Sequence, residues 1–232
     1  MAPMSSQNAT VVTGAAGALG RAVVDEFRAR GRYVVALDRP GDALESLAVT
    51  GEVQPIAVDL ADRTGVATAF EAVDELGAPV GALVALAGGY AGGALSDVDE
   101  ETLAGLFDTN VASLLWAAQA AAPRMAAAGG GSVVTVGSRT AVTGPAPLVH
   151  GSTKAAVVRL TELLADELRA QGVRVNSVLP SVIDTPANRS WMDDGMVARA
   201  VAPAAIAKVV AFLCSDDAAP VSGALVPVYG DA

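Results

Sequence analysis

Apolar positions in the 232-residue chain alternate between two rhythms. Short aliphatic and β-branched runs occupy 9–13, 33–37, 53–58, 80–86, 132–136, 173–179 and 225–228, a composition suited to buried strands. Between them, 19–30, 63–76, 99–127, 153–170 and 203–215 carry apolar residues three and four apart, as in Val157, Leu160, Leu164 and Leu168. Strands that are apolar on both faces and joined by helices belong to parallel sheets covered on both sides. The pattern predicts an α/β fold: a single doubly wound parallel sheet of about seven strands with helices on both faces. Two stretches break the rhythm, 139–149 and 181–202, and are predicted to be functional loops at one end of the sheet. Nothing in the pattern resembles a linker, so 9–232 reads as one domain, with 1–8 a short polar, flexible N-terminus.

Composition narrows the functions available. Hydrophobic residues make up 52% of the chain and charged residues 17%, which suits a large core and excludes a disordered chain. The formal net charge of −10 has the wrong sign for a nucleic-acid backbone or an anionic membrane surface, so neither is expected as a partner. The glycine-broken stretch 78–96 is unsuited to spanning a bilayer, and the N-terminus lacks the basic and apolar regions of a secretory signal. A cytoplasmic location is the expectation. The single cysteine, Cys214, and single histidine offer no metal-ligand spacing, so no metal is expected.

Candidate chemistry begins where the first strand runs into TGAAGALG, Thr13 to Gly20, and then into a helix. Glycines at that junction let a dinucleotide pyrophosphate approach a helix N-terminus, which makes the fold Rossmann-type. Asp38 ends the second strand, where a carboxylate accepts hydrogen bonds from the adenosine ribose hydroxyls and repels a 2′-phosphate. NAD(H) is therefore the preferred cofactor, with NADP(H) left open by Arg39 beside it.

The order of motifs from Thr10 to about Tyr229 resembles the short-chain dehydrogenase/reductase family. Besides the glycine turn, the resemblance rests on Asp59 in VDL, LAGG at Leu86 to Gly89, Asn110 in TNV, Ser138 in VGS, Lys154 in HGSTK and PSVIDTP from Pro180. It implies that Gly14, Gly17 and Gly20 cradle the pyrophosphate and Asp59 faces the adenine. It also implies that Asn110 supports a proton-relay water, Ser138 holds the substrate oxygen, Lys154 binds the nicotinamide ribose, and Thr185 contacts the nicotinamide carboxamide. Within the family, AGGYAGG at Ala87 to Gly93 and LPSVIDTPANR at Leu179 to Arg189 look most like the dihydropteridine reductase branch, whose acceptor is a quinonoid, imine-like ring. Three departures stand out. Ala18 occupies the middle slot of the G-x-x-x-G-x-G spacing, Ala85 and Leu86 replace an asparagine pair, and His150 stands where the family has its catalytic tyrosine.

His150 and Lys154 are four apart, so on a helix their heads share a face. Unit charges about 5 Å apart at an effective dielectric near 20 repel by roughly 3 kcal/mol, or about two pKa units, which would leave His150 mainly neutral at pH 7. Neutral imidazole is a usable base but a poor acid. The expected activity is therefore an NAD(P)H-dependent oxidoreductase acting on a small organic substrate, with an imine-like or quinonoid acceptor. Two alternatives stay open: a carbonyl/alcohol oxidoreductase using His150 as acid/base, and a redox-inactive cofactor-binding regulator or scaffold. Arg139 and Arg189 are candidate carboxylate binders, Trp191, Met192 and Met196 a candidate apolar lid, and Tyr90 a candidate substitute acid. The Ala/Leu-rich segments 99–127 and 153–170 correspond, by the resemblance, to helices that pair family members into homodimers or homotetramers.

Overall fold

The computed structural model describes residues 8–231; positions 1–7 of the flexible N-terminus read from the sequence lie outside them. Seven strands, β1 (Ala9–Thr13), β2 (Val34–Asp38), β3 (Val53–Ala57), β4 (Val80–Ala85), β5 (Gly131–Val136), β6 (Val173–Pro180) and β7 (Leu225–Val228), form one sheet in the order β3-β2-β1-β4-β5-β6-β7. Every pairing is parallel. The order reverses between β1 and β4, and in open α/β sheets ligands bind at the strand C-termini beside such a switch.

Helices cover both faces: α1 (Ala18–Ala29), α2 (Asp42–Glu45), α3 (Arg63–Glu75), α4 (Glu100–Phe107), α5 (Ser113–Ala127), α6 (Leu148–Leu168), α7 (Pro186–Arg189), α8 (Asp194–Arg199) and α9 (Pro203–Cys214). Alternation along the strands separates two cores. Val11, Leu83 and Val133 face α3, α5 and α6, whereas Val12, Val84 and Val134 face α1 and α9. Valine at these positions suits a strand buried on both faces, because its branched Cβ packs well on a pleated surface.

Three expectations need correction. The helix expected from 153 starts at Leu148, which places His150 in its first turn. The helix expected over 99–127 is two helices joined by a π-helical turn, Asp108–Ala112, which contains Asn110. The segment 181–202, read as loop, holds α7 and α8, each begun by a side-chain cap from Thr185 and Asp193 respectively. Periodicity missed the last two because a π turn and short capped helices are set by local hydrogen bonds, which leave no apolar stripe; it missed the α6 start because the exposed Leu148 and the poor helix former Gly151 lie before the stripe begins.

Candidate active site

The glycine turn is built for close approach. Gly14 has φ +67°, and a Cβ there would lie 2.8 Å from the Ala87 amide nitrogen. At Gly20 a Cβ would overlap the Gly14 carbonyl oxygen. Gly17 caps α1 with no side-chain hydrogen bond, leaving the helix amides to an anion. Ala18 is exposed, so its methyl does not crowd the protein. Asp38 reaches the same loop: one carboxylate oxygen accepts the Ala16 N–H at 2.8 Å and the other accepts the Arg39 N–H at 2.8 Å. Two of its roughly four lone-pair positions are used, which leaves acceptors for a diol. These groups fit a dinucleotide.

Arg21 completes the turn. Its Nε donates to the Ala16 carbonyl at 3.1 Å, and its guanidinium also donates to the Ala43 carbonyl and to the Ser46 hydroxyl at 2.9 Å. The Ala16 peptide is thus held by Asp38 on its N–H and by Arg21 on its carbonyl. Asp59 stands apart at the β3 exit, exposed, accepting the Ala61 N–H at 3.0 Å.

Beside the switch point, Thr13, Asn110 and Thr153 tie four elements together. The buried Thr13 hydroxyl accepts from the Leu86 and Ala87 N–H groups at 3.2 and 3.4 Å, joining the ends of β1 and β4. Asn110, also buried, accepts the Gly89 N–H through Oδ1 at 2.7 Å and donates from Nδ2 to the Gly89 carbonyl at 3.3 Å. Nδ2 donates in addition to the Thr153 hydroxyl at 2.9 Å, and that hydroxyl donates to the His150 carbonyl at 3.0 Å. The π turn presents Asn110 to the LAGG loop and to α6 at once.

Lys154 is buried and donates from Nζ to the Val136 carbonyl at 2.9 Å. Burial pulls its pKa down to about 8. A Cβ on Gly88 would lie 3.3 Å from this Nζ and 3.0 Å from Asn110 Oδ1, so both groups converge on the same glycine. Ser138, at the β5 exit, shares a 2.8 Å hydrogen bond with the Thr140 hydroxyl and accepts the Thr140 N–H at 3.2 Å. Ala85 and Leu86, in place of the asparagine pair, are apolar packing: Ala85 against Leu114 and Val157, Leu86 against the α1 and α9 core.

His150 is half-buried. Its pKa lies below the usual histidine value, chiefly through burial, with the Lys154 charge adding to the effect and the Gly89 carbonyl opposing it. The sequence predicts repulsion from Lys154 as the cause; desolvation is the larger one, because the ring is partly enclosed at the start of α6. Among the described residues its buried Nδ1 has no hydrogen-bond partner. Against the imidazole lies the Tyr90 ring, edge-on, with centroids 4.9 Å apart. Tyr90 is 66% exposed.

The remaining candidates sort by partner. Arg189 forms a two-pronged ion pair with Asp184, one contact at 2.7 Å. The Thr185 hydroxyl caps α7, accepting the Asn188 N–H at 3.2 Å. Trp191 is 55% exposed, and Met192 and Met196 are half-buried. Arg139 lies over the Tyr229 ring, 5.7 Å from its centre. Among the described residues no cluster of His, Cys, Asp and Glu has the makings of a metal site, and no helix is long and apolar enough to cross a membrane.

Known proteins share this fold and family. The family model described as short chain dehydrogenase matches residues 8–195. Galactitol 2-dehydrogenase from Rhizobium johnstonii is 33% identical, with 94% of this chain and 92% of that protein covered. Meso-2,3-butanediol dehydrogenase from Serratia marcescens is 28% identical, with 96% and 93% covered. Among solved structures, a variant of actinorhodin polyketide ketoreductase with NADPH superimposes with a TM-score of 0.91 at 25% identity, covering 98% of this chain and 97% of that one.

Proposed function

The chain belongs to the short-chain dehydrogenase family and is an NAD(P)-dependent oxidoreductase, and we propose that it is an NADH-preferring reductase whose acceptor arrives with its own proton. The observation that carries this reading is the half-buried imidazole of His150, packed against Tyr90 with its pKa held below the usual histidine value by burial and the Lys154 charge, at the place where the family resemblance puts a tyrosine acid. When bound, the nicotinamide cofactor supplies the hydride. The residues of this chain bind, orient and exclude. Gly14, Gly17 and Gly20 admit the pyrophosphate to the α1 N-terminus, Asp38 accepts from the ribose diol, and Asp59 flanks the adenine. Lys154 and Thr185 hold the nicotinamide end. Asn110 fixes the LAGG loop against α6, and Ser138 donates to the acceptor.

A protonated imine or quinonoid ring needs no strong enzyme acid, which suits a site whose imidazole is kept uncharged. The AGGYAGG and LPSVIDTPANR segments support the same acceptor through their likeness to the dihydropteridine reductase branch. A second reading has a specific observation behind it: the exposed Tyr90 phenol, seated on His150, serves as proton donor to a ketone. The relatives' names, a diol dehydrogenase and a sugar-alcohol dehydrogenase, favour carbonyl and alcohol chemistry.

We further propose that α5 and α6 pair copies of the chain into a dimer or tetramer. The direct test is loss of nicotinamide absorbance on addition of cyclic imines, quinonoid dihydropterin, quinones and ketones, each with NADH and NADPH. Turnover of protonated imines with NADH supports the reading; turnover of ketones alone favours the second.

A further inference from the structure

We infer that the acceptor carries a carboxylate, bound by Arg139; the inference rests on the proposed reductase activity for the identity of the reacting centre. Arg139 directly follows Ser138, so their Cα atoms are about 3.8 Å apart. Its guanidinium extends to the ring of Tyr229, just past the end of β7. Between β5 and β7 in the sheet lies β6, whose exit is joined to the same place by the Ser181 hydroxyl, which donates to the Tyr229 carbonyl at 2.8 Å. Arg139 therefore spans the C-terminal ends of β5, β6 and β7. This is the half of the crevice away from Asp38 and the ribose, on the side where the acceptor must enter.

Its charge is uncommitted. Among the described residues Arg139 makes no ion pair with an acidic side chain, although the chain has a net charge of −10 and six other arginines are paired. Arg189, the other arginine expected to face the substrate, is neutralised by Asp184. The Tyr229 ring lies 5.7 Å from the guanidinium carbon, within cation–π range, and the contact uses none of the guanidinium's hydrogen-bonding capacity. A planar guanidinium fork that no acidic side chain among the described residues occupies matches the two oxygens of a carboxylate. Because Arg139 directly follows Ser138, the carboxylate it binds lies on the same side of the acceptor as the centre that Ser138 addresses.

The test uses two matched pairs with the full-length protein. The first is turnover of 1-pyrroline-2-carboxylate against 2-methyl-1-pyrroline with NADH. The second is binding of pyridine-2-carboxylate against pyridine-2-carboxamide to the protein–NAD⁺ complex, by calorimetry. The expected result is a preference for the carboxylate of about tenfold or more in each pair, weakening with added salt, reduced to near unity in Arg139→Gln and partly kept in Arg139→Lys. A wild-type protein with no preference in the binding pair overturns the inference, as does a preference that Arg139→Gln leaves intact. Selective binding of the pyridine carboxylate without turnover of either pyrroline would retain the Arg139 site and reject the reductase reading. Equal turnover of both pyrrolines would do the reverse.

Discussion

Lys154→Met should make the cofactor-free protein more stable near neutral pH. The ammonium is buried, and its fall from 10.5 to about 8, at about 1.4 kcal/mol per tenfold change in proton affinity, corresponds to a cost of roughly 3 kcal/mol for keeping the charge inside. Met fills similar space without charge, but it abandons the Val136 carbonyl, which gives back about 1 kcal/mol. The net gain is about 2 kcal/mol, or roughly 4–8 °C in Tm for a chain of this size. The pH dependence has a definite sign. Between about 8 and 10.5 the unfolded state binds the proton that the folded state has lost, so wild-type stability rises with pH across that window relative to the variant. The advantage of the variant is therefore full below pH 8 and gone above about 10.5. Urea unfolding of both proteins, without cofactor, at pH 7 and at intervals up to pH 10.5 reads this directly. A variant less stable than wild type at pH 7, or a difference that does not shrink with rising pH, would refute the reasoning.

Other expectations follow from single contacts. Asp38→Ala should lower NADH affinity about tenfold or more and NADPH affinity much less, measured by fluorescence titration, since it removes a charged acceptor from the ribose site. Gly20→Ala should lose cofactor binding and about 1–3 kcal/mol of stability, because the added methyl overlaps the Gly14 carbonyl oxygen; an unchanged melting curve would contradict it. His150→Tyr should raise ketone reduction on the order of 100-fold, because the Lys154 charge that disfavours an imidazolium favours a phenolate; no gain in a folded, cofactor-binding variant would count against the placement of residue 150.

Much of the fold was legible because the two periodicities differ so clearly. All seven runs of apolar residues became strands, and Asp38 ends β2 as its place after Tyr33 to Leu37 implied. The glycine turn was equally plain, since strand, Gly-rich turn, helix and later acid occur in order. The holding network was not. Thr13 acts on residues 73 and 74 positions away, Asn110 on Thr153 43 away, and Arg21 on Ser46 25 away. A buried hydroxyl or an arginine gives no local signal of which distant amide it will meet. The clue available for Thr13 and Thr153 was a polar residue inside an otherwise apolar stripe. The contact between Tyr90 and His150 likewise depends on the LAGG loop folding back over α6, which Asn110 enforces. Desolvation of His150, larger than the Lys154 effect, is a property of packing and not of i, i+4 spacing.

The proposed reaction requires His150 to be uncharged when the acceptor is reduced. The deciding measurement is the pH profile of kcat/KM for NADH oxidation, recorded with a cyclic imine and with a matched ketone, for the wild-type protein and His150→Phe. The imine rate should follow protonation of the imine itself, His150→Phe should retain it, and both proteins should reduce the ketone slowly, with no kinetic group near pH 6.5 traceable to His150. Rapid wild-type ketone reduction that disappears in His150→Phe, together with a kinetic pKa above about 6.5 lost in the same variant, would contradict it and make the imidazolium the catalytic acid.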